Sequence, residues 1–101
     1  MIVGILRLKL FLANSHSLKD KRQVLLKIKD KVQHHFNASI AEVGDNDTWQ
    51  SAVLGVSVVG NEAGLVQSML DKIERMIEEL YVAQIVSRDR DVYYAKDHFT
   101  P

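Results

Sequence analysis

The segment His16-Ser17-Leu18-Lys19-Asp20-Lys21-Arg22 places three cations within four consecutive positions. A Ser followed three residues later by an acid is a weaker form of the capping box, so Ser17 opens a helix. A helix start already carries partial positive charge from its unpaired N–H groups. Lys19, Lys21 and Arg22 are therefore unfavourable for the helix itself and point to an anion, either an external phosphate or a carboxylate of the same chain. Trp49 supplies an indole that can stack on a base. With His16 and Ser17 assisting, these residues form a candidate nucleic-acid or anion-binding site. A second reading stands beside it, in which Lys21 pairs with Glu42 and Trp49 covers the edge of the core.

Other chemistries find little support. There is no Cys, which excludes disulfides, thiolate metal sites and thiol catalysis. His34 and His35 are adjacent and point different ways on a helix, while His16 and His98 are isolated, so no metal site is expected. Gly55-Val56-Ser57 continues with Val58-Val59 and makes no nucleophile elbow. Neither glycine-rich phosphate loop occurs. Glu42, Asp45 and Asp47 cluster near a turn, where Asp is favoured regardless. The expectation is a non-enzymatic protein without a cofactor.

The chain has 101 residues, 47% hydrophobic and 26% charged, with formal net charge zero. These values fit one globular domain, residues 1–96, with a tail at 97–101. The zero hides a split. Residues 1–36 hold eight basic and two acidic residues, and residues 37–101 hold five basic and eleven acidic. Such a dipole can steer an anionic partner to one face. The balanced total argues against non-specific nucleic-acid coating, for which a pI above about 9 is the usual footprint, and no DNA specificity is expected. No run approaches the roughly 20 apolar residues of a membrane span. The apolar first dozen residues carry Arg7 and Lys9 and do not read as a signal peptide. A cytoplasmic protein without membrane contact is expected.

The elements that must position the site follow from periodicity. Leu6, Leu8, Leu10 and Leu12 fall on one face of a first strand, residues 2–12. In the first helix Leu18, Val24, Leu25, Ile28, Val32 and Phe36 share an apolar arc. Leu26 sits on its polar side. Lys21 sits inside the arc, with its stem expected to run out past the end of the core. Second and third strands, residues 37–43 and 48–59, flank the turn Gly44-Asp45-Asn46-Asp47. Asn61 is a good N-cap for a second helix reaching about Tyr81, with Leu65, Val66, Met69, Leu70, Ile73, Met76, Ile77 and Leu80 on its apolar arc. A last strand covers roughly residues 84–95. The order βαββαβ with right-handed crossovers predicts an α+β ferredoxin-like sandwich: a four-stranded antiparallel sheet with two helices on one face. In that topology the end of strand one adjoins the start of strand three. The start of helix one and the 44–48 turn then gather at the same end.

The sheet's other face is left open. Arg7, Lys9, Arg88 and Arg90 are expected along it. Strands one and three carry Val, Ile, Gly and Ser at their centres, so the stacking aromatics of RNA-binding sheets are absent. Val3, Ile5, Phe11 and Val53 fit a partner or self-association surface. An alternative function is thus a homodimeric interaction module using Ile5, Phe11, Leu26 and Val53. A third is a small domain that binds an anionic ligand at the helix start.

At Ser17-Leu18-Lys19-Asp20-Lys21-Arg22, at Ala41-Glu42-Val43 and at Asp47-Thr48-Trp49-Gln50 the sequence resembles the YlxP-like family, a bacterial family of unknown function. Val53-Leu54-Gly55-Val56 also fits, and the resemblance runs from Gly4-Ile5-Leu6 to the second helix. It implies a ferredoxin-like fold in a small cytoplasmic bacterial protein. The family's genes lie beside those of a translation initiation factor and a ribosome-binding factor in many bacteria. That implies ribosome or ribosomal RNA work by association. The family brings no established catalytic residues to carry over. The tail beyond Tyr94 departs from the usual family end.

Overall fold

The computed structural model describes residues 1–99. The elements are β1 (Ile2–Phe11), α1 (Leu18–His35), β2 (Ser39–Gly44), β3 (Ser51–Gly60), α2 (Ala63–Glu79) and β4 (Gln84–Tyr94). The strands form one antiparallel sheet in the order β2-β3-β1-β4, and both helices cover the same face. This is the ferredoxin-like sandwich. Residues 95–99 follow the last strand, and Ala95 N–H donates to the Met1 carbonyl at 2.8 Å. The rest of the expected tail, 100–101, lies outside the described residues.

The period-two pattern of β1 produces the core directly. Leu6, Leu8 and Leu10, with Leu12 just beyond the strand, are fully buried against Ala52, Leu54, Val56 and Val58 of β3. Leu25, Ile28 and Val32 of α1 and Val66, Leu70, Ile73 and Ile77 of α2 close the other side. Each such aliphatic side chain contributes roughly 1.5–3 kcal/mol through burial. Gly4 marks the closest approach of α2 to β1. A Cβ there would lie 2.5 Å from Val66 Cγ1 and 3.0 Å from Leu70 Cδ1. Leu65, expected on the apolar arc, is instead exposed.

Both outer strands are bulged. In β4, Ser87 pairs with Lys9 and Ile85 with Leu10, so Val86 is an extra residue. In β2, Glu42 pairs with Leu54 and Gly44 with Val53, so Val43 is extra. A bulge reverses the parity of inward-facing positions. Ile85 therefore shares the helix-covered face with Arg88, Arg90 and Val92, which lie opposite Leu8, Leu6 and Gly4. Arg88 and Arg90 are thus not on the open face, contrary to the expectation. They reach α2 instead.

Several boundaries differ from the sequence reading. Thr48, Trp49 and Gln50 belong to the β2–β3 turn, where Thr48 N–H donates to the Asp45 carbonyl and Leu12 N–H to the Gln50 carbonyl. The N-cap of α2 is Glu62, which makes no side-chain capping bond, rather than Asn61. The helix ends at Glu79, because Tyr81 takes a left-handed φ of 54°.

Candidate nucleic-acid interface

The start of α1 is built as its sequence suggests. Ser17 Oγ accepts from Asp20 N–H at 3.0 Å, and Asp20 Oδ2 accepts from His16 N–H at 3.0 Å. This reciprocal pair fixes the first turn, and it engages the Ser17 hydroxyl oxygen in the fold rather than leaving it free for a ligand. The His16 and Trp49 rings meet edge-on with centroids 6.3 Å apart. The turn and the helix start thus come together as the topology demands. Trp49 keeps 45% of its surface exposed.

Lys21 departs from the anion-binding expectation. Its side chain is 1% exposed and does not run out past the core. Nζ lies 2.8 Å from the Asp45 carbonyl and 3.2 Å from those of Asn46 and Ser51. It also lies 2.8 Å from Glu42 Oε2. An ammonium has three protons, and the three carbonyls take them. Glu42 Oε2 is therefore buried in charge contact with Lys21 but has no hydrogen bond of its own. Lys21 pins the β2–β3 turn to the first turn of α1, and no part of its charge faces a ligand. The pairing with Glu42 was the alternative that the sequence left open.

Asp45 adds to this cage from the turn. It holds a left-handed φ of 57°, which Asp tolerates. Its Oδ2 accepts from Ser51 Oγ at 2.7 Å and lies 3.6 Å from Lys9 Nζ. The Ser51 hydroxyl bond holds its carboxyl below the ordinary value. Partial burial opposes that shift, and Lys9 and Lys21 reinforce it.

The second half of the chain uses its cations differently. Arg88 binds Glu74 at 2.8 Å and also Glu78, and Arg90 binds Asp71 at 2.7 Å. Arg7, on the open face, bridges Asp89 at 2.7 Å and Asp91 at 3.2 Å. These carboxylates hold the Arg7 and Arg88 guanidinium groups even above their usual high value. In contrast, Lys19, Arg22, Lys27 and Lys31 of α1 are exposed and Lys29 is half-buried. None of the five makes an ion pair among the described residues.

The expected interface residues do not form one patch. Ile5 and Val53 lie on the open face and Phe11 at its end, but Leu26, 55% exposed, is on the outer side of α1 in the opposite layer. Leu26 cannot share a flat interface with the other three. Among the described residues, no three His, Cys, Asp or Glu side chains group to hold a metal ion. No helix among them is long and apolar enough to cross a membrane.

Fold and site together define a small α+β domain with a buried lysine held against a carboxylate and a cationic first helix. Its architecture is similar to that of a de novo designed protein with a ferredoxin fold, solved by solution NMR. That likeness has a TM-score of 0.57 at 17% identity, covering 100% of this chain and 99% of the other. The de novo designed protein Foldit4 matches with a TM-score of 0.53 at 11% identity, over 94% and 98% of the two chains. The chain belongs to the DUF503 family, described as a protein of unknown function, whose model matches residues 3–90. It is 32% identical over 77 residues to the uncharacterized protein YlxP of Bacillus subtilis (strain 168), covering 76% of this chain and 84% of the relative.

Sequence reasoning missed two features. One is the threefold carbonyl cage around Lys21. Its only signal was a lysine inside an apolar arc. The other is Tyr81, an exposed aromatic in a left-handed conformation, which no pattern announced.

Proposed function

We propose that this protein is a non-enzymatic accessory factor of the ribosome or its RNA, which holds phosphate through exposed cations of α1. The observation that supports it most is the absence of intramolecular partners for Lys19, Arg22, Lys27, Lys29 and Lys31 among the described residues. Acidic residues elsewhere are engaged by Arg7, Arg88 and Arg90. Like charges crowded on one helix oppose folding by a few tenths of a kcal/mol per pair, and a polyanion relieves that repulsion. Lys19 and Arg22 are the proposed phosphate contacts, flanked by the His16–Trp49 ring pair. Lys21 has no direct part in it. Affinity for ribosomal RNA is expected to fall steeply with salt, with the slope set by the number of phosphates neutralised. Replacing Lys19 and Arg22 together by Ala should flatten the slope by roughly 1–2 in log–log terms. An unchanged slope removes the assignment.

A second reading is favoured by the open face. Val43 lies over Gly55 there, within 3.0 Å of where a Cβ would stand. Ile5 is half-buried at the edge of the same depression and Val53 is half-buried elsewhere on this face, and Arg7 and Lys9 already have carboxylate partners. A second copy could cover this surface without leaving a buried charge unpaired. Light scattering across a concentration series tests it, and a mass that stays monomeric throughout rejects it.

A further inference from the structure

Of the two non-glycine residues with left-handed backbone among the described residues, Asp45 is explained by its bonds to Ser51 and the turn. Tyr81 is not. The position after a helix C-cap ordinarily takes Gly or Asn, which reach this conformation at little cost. Here it holds a tyrosine that is 87% exposed. The ring therefore serves neither the backbone conformation nor the core. It lines a hollow with Phe11, itself 41% exposed, and with two amide-bearing residues, Asn14 and Gln84. Among the described residues, no charged side chain lines this hollow. Two aromatic rings beside two amides make a poor site for a free anion. They match a nucleobase, which offers a π-face to stack and an edge to hydrogen-bond. Phe11 pairs with Ser51 at the start of β3, two residues from Trp49, so the hollow opens at the same end of the molecule as the start of α1.

We propose that this hollow takes one unpaired base of a single-stranded RNA, stacked on Tyr81 and Phe11 and held at its edge by Asn14 and Gln84. The inference rests on the phosphate-binding reading of α1 and adds to it that the preferred RNA is unpaired. Backbone phosphates reach the α1 cations while a splayed base enters the hollow.

The test compares a short single-stranded RNA of mixed sequence with inorganic polyphosphate, which has charge but no bases, by fluorescence anisotropy and competition. Tyr81→Gly is expected to weaken RNA binding about tenfold, the loss of one stacked base, while polyphosphate binding is unchanged. Its Tm should equal or exceed that of the parent, because glycine suits the left-handed backbone. Phe11→Ala should show the same selective loss. RNA affinity that Tyr81→Gly leaves unchanged overturns the hollow and leaves the phosphate reading intact. Equal losses for RNA and polyphosphate, or equal binding of duplex and single-stranded RNA, also overturn it. If the parent binds neither RNA nor polyphosphate, the phosphate reading fails and this inference falls with it.

Discussion

Two regions of this molecule use cation–carboxylate contacts, and burial separates their roles. At the β2–β3 turn one ammonium, Lys21, is enclosed by Glu42 and three carbonyls. Along α2 and β4 the guanidinium groups of Arg88 and Arg90 reach Glu74, Glu78 and Asp71 in partly open surroundings. Exposed pairs are individually worth about 0–1 kcal/mol, because water solvates either partner alone. A buried pair adds little over a good apolar substitute, but removing one partner strands the other in a medium that cannot solvate it. One buried lysine therefore matters more to the fold than the two arginines together, although it makes fewer contacts with carboxylates.

The largest expected effect tests that ranking. Lys21→Ala should destabilise by about 3–5 kcal/mol, because it leaves the buried Glu42 Oε2 without a countercharge and the Asn46 and Ser51 carbonyls without their lysine donor. Urea unfolding measures it, and a loss near zero would erase the distinction between the regions. The double variant Lys21→Met with Glu42→Leu sharpens the comparison. If the ion pair alone mattered, the double change would restore stability. The carbonyls at Asn46 and Ser51 lose their lysine donor while that of Asp45 keeps Thr48 N–H, so recovery should stay incomplete by about 1–3 kcal/mol.

Asp45 gives a pH-dependent expectation. Its folded carboxyl titrates below the ordinary 3.8, so its contribution is present above that value and is lost as pH falls through the lower folded value. Acid titrations of the parent and Asp45→Asn should therefore differ near neutrality and converge at the acid end. The smallest effect is at the surface. Arg88→Ala should cost less than about 1 kcal/mol, and added salt should shrink even that, since screening acts on exposed pairs. A larger, salt-insensitive loss would place Arg88 with Lys21 rather than against it.

Much of this arrangement was legible in the sequence. The leucines of β1 at spacing two, the turn residues 44–47 and the apolar arcs of both helices specify the sandwich, because burial dictates those periods. The meeting of Trp49 with the helix start followed from strand order alone. The face occupied by Arg88 and Arg90 was not legible. The bulge at Val86 turns both Ile85 and Val92 inward, so the apolar residues of β4 share no single parity and cannot say which face is covered. The fate of Lys21 was legible only as a choice. Its place on the apolar arc admitted both an outward stem and an inward ammonium, and the deciding carbonyls come from backbone whose path composition does not encode. The left-handed Tyr81 left no trace, because tyrosine is not a residue from which that conformation is inferred.

The alternating charges of β4 limit how the sheet can grow. Antiparallel pairing of one β4 with another about a two-fold axis sets residues of equal parity opposite each other. In the register centred on Arg90, arginine would face arginine and Asp89 would face Asp91, and like charges directly opposite repel. The other rim of the sheet, β2, is six residues long and interrupted at Val43, and short or bulged rims discourage strand addition. Fibrous self-propagation through sheet rims is thereby disfavoured at both ends, and copies that associate are left with the broad surface around Ile5 and Val53 as their meeting ground.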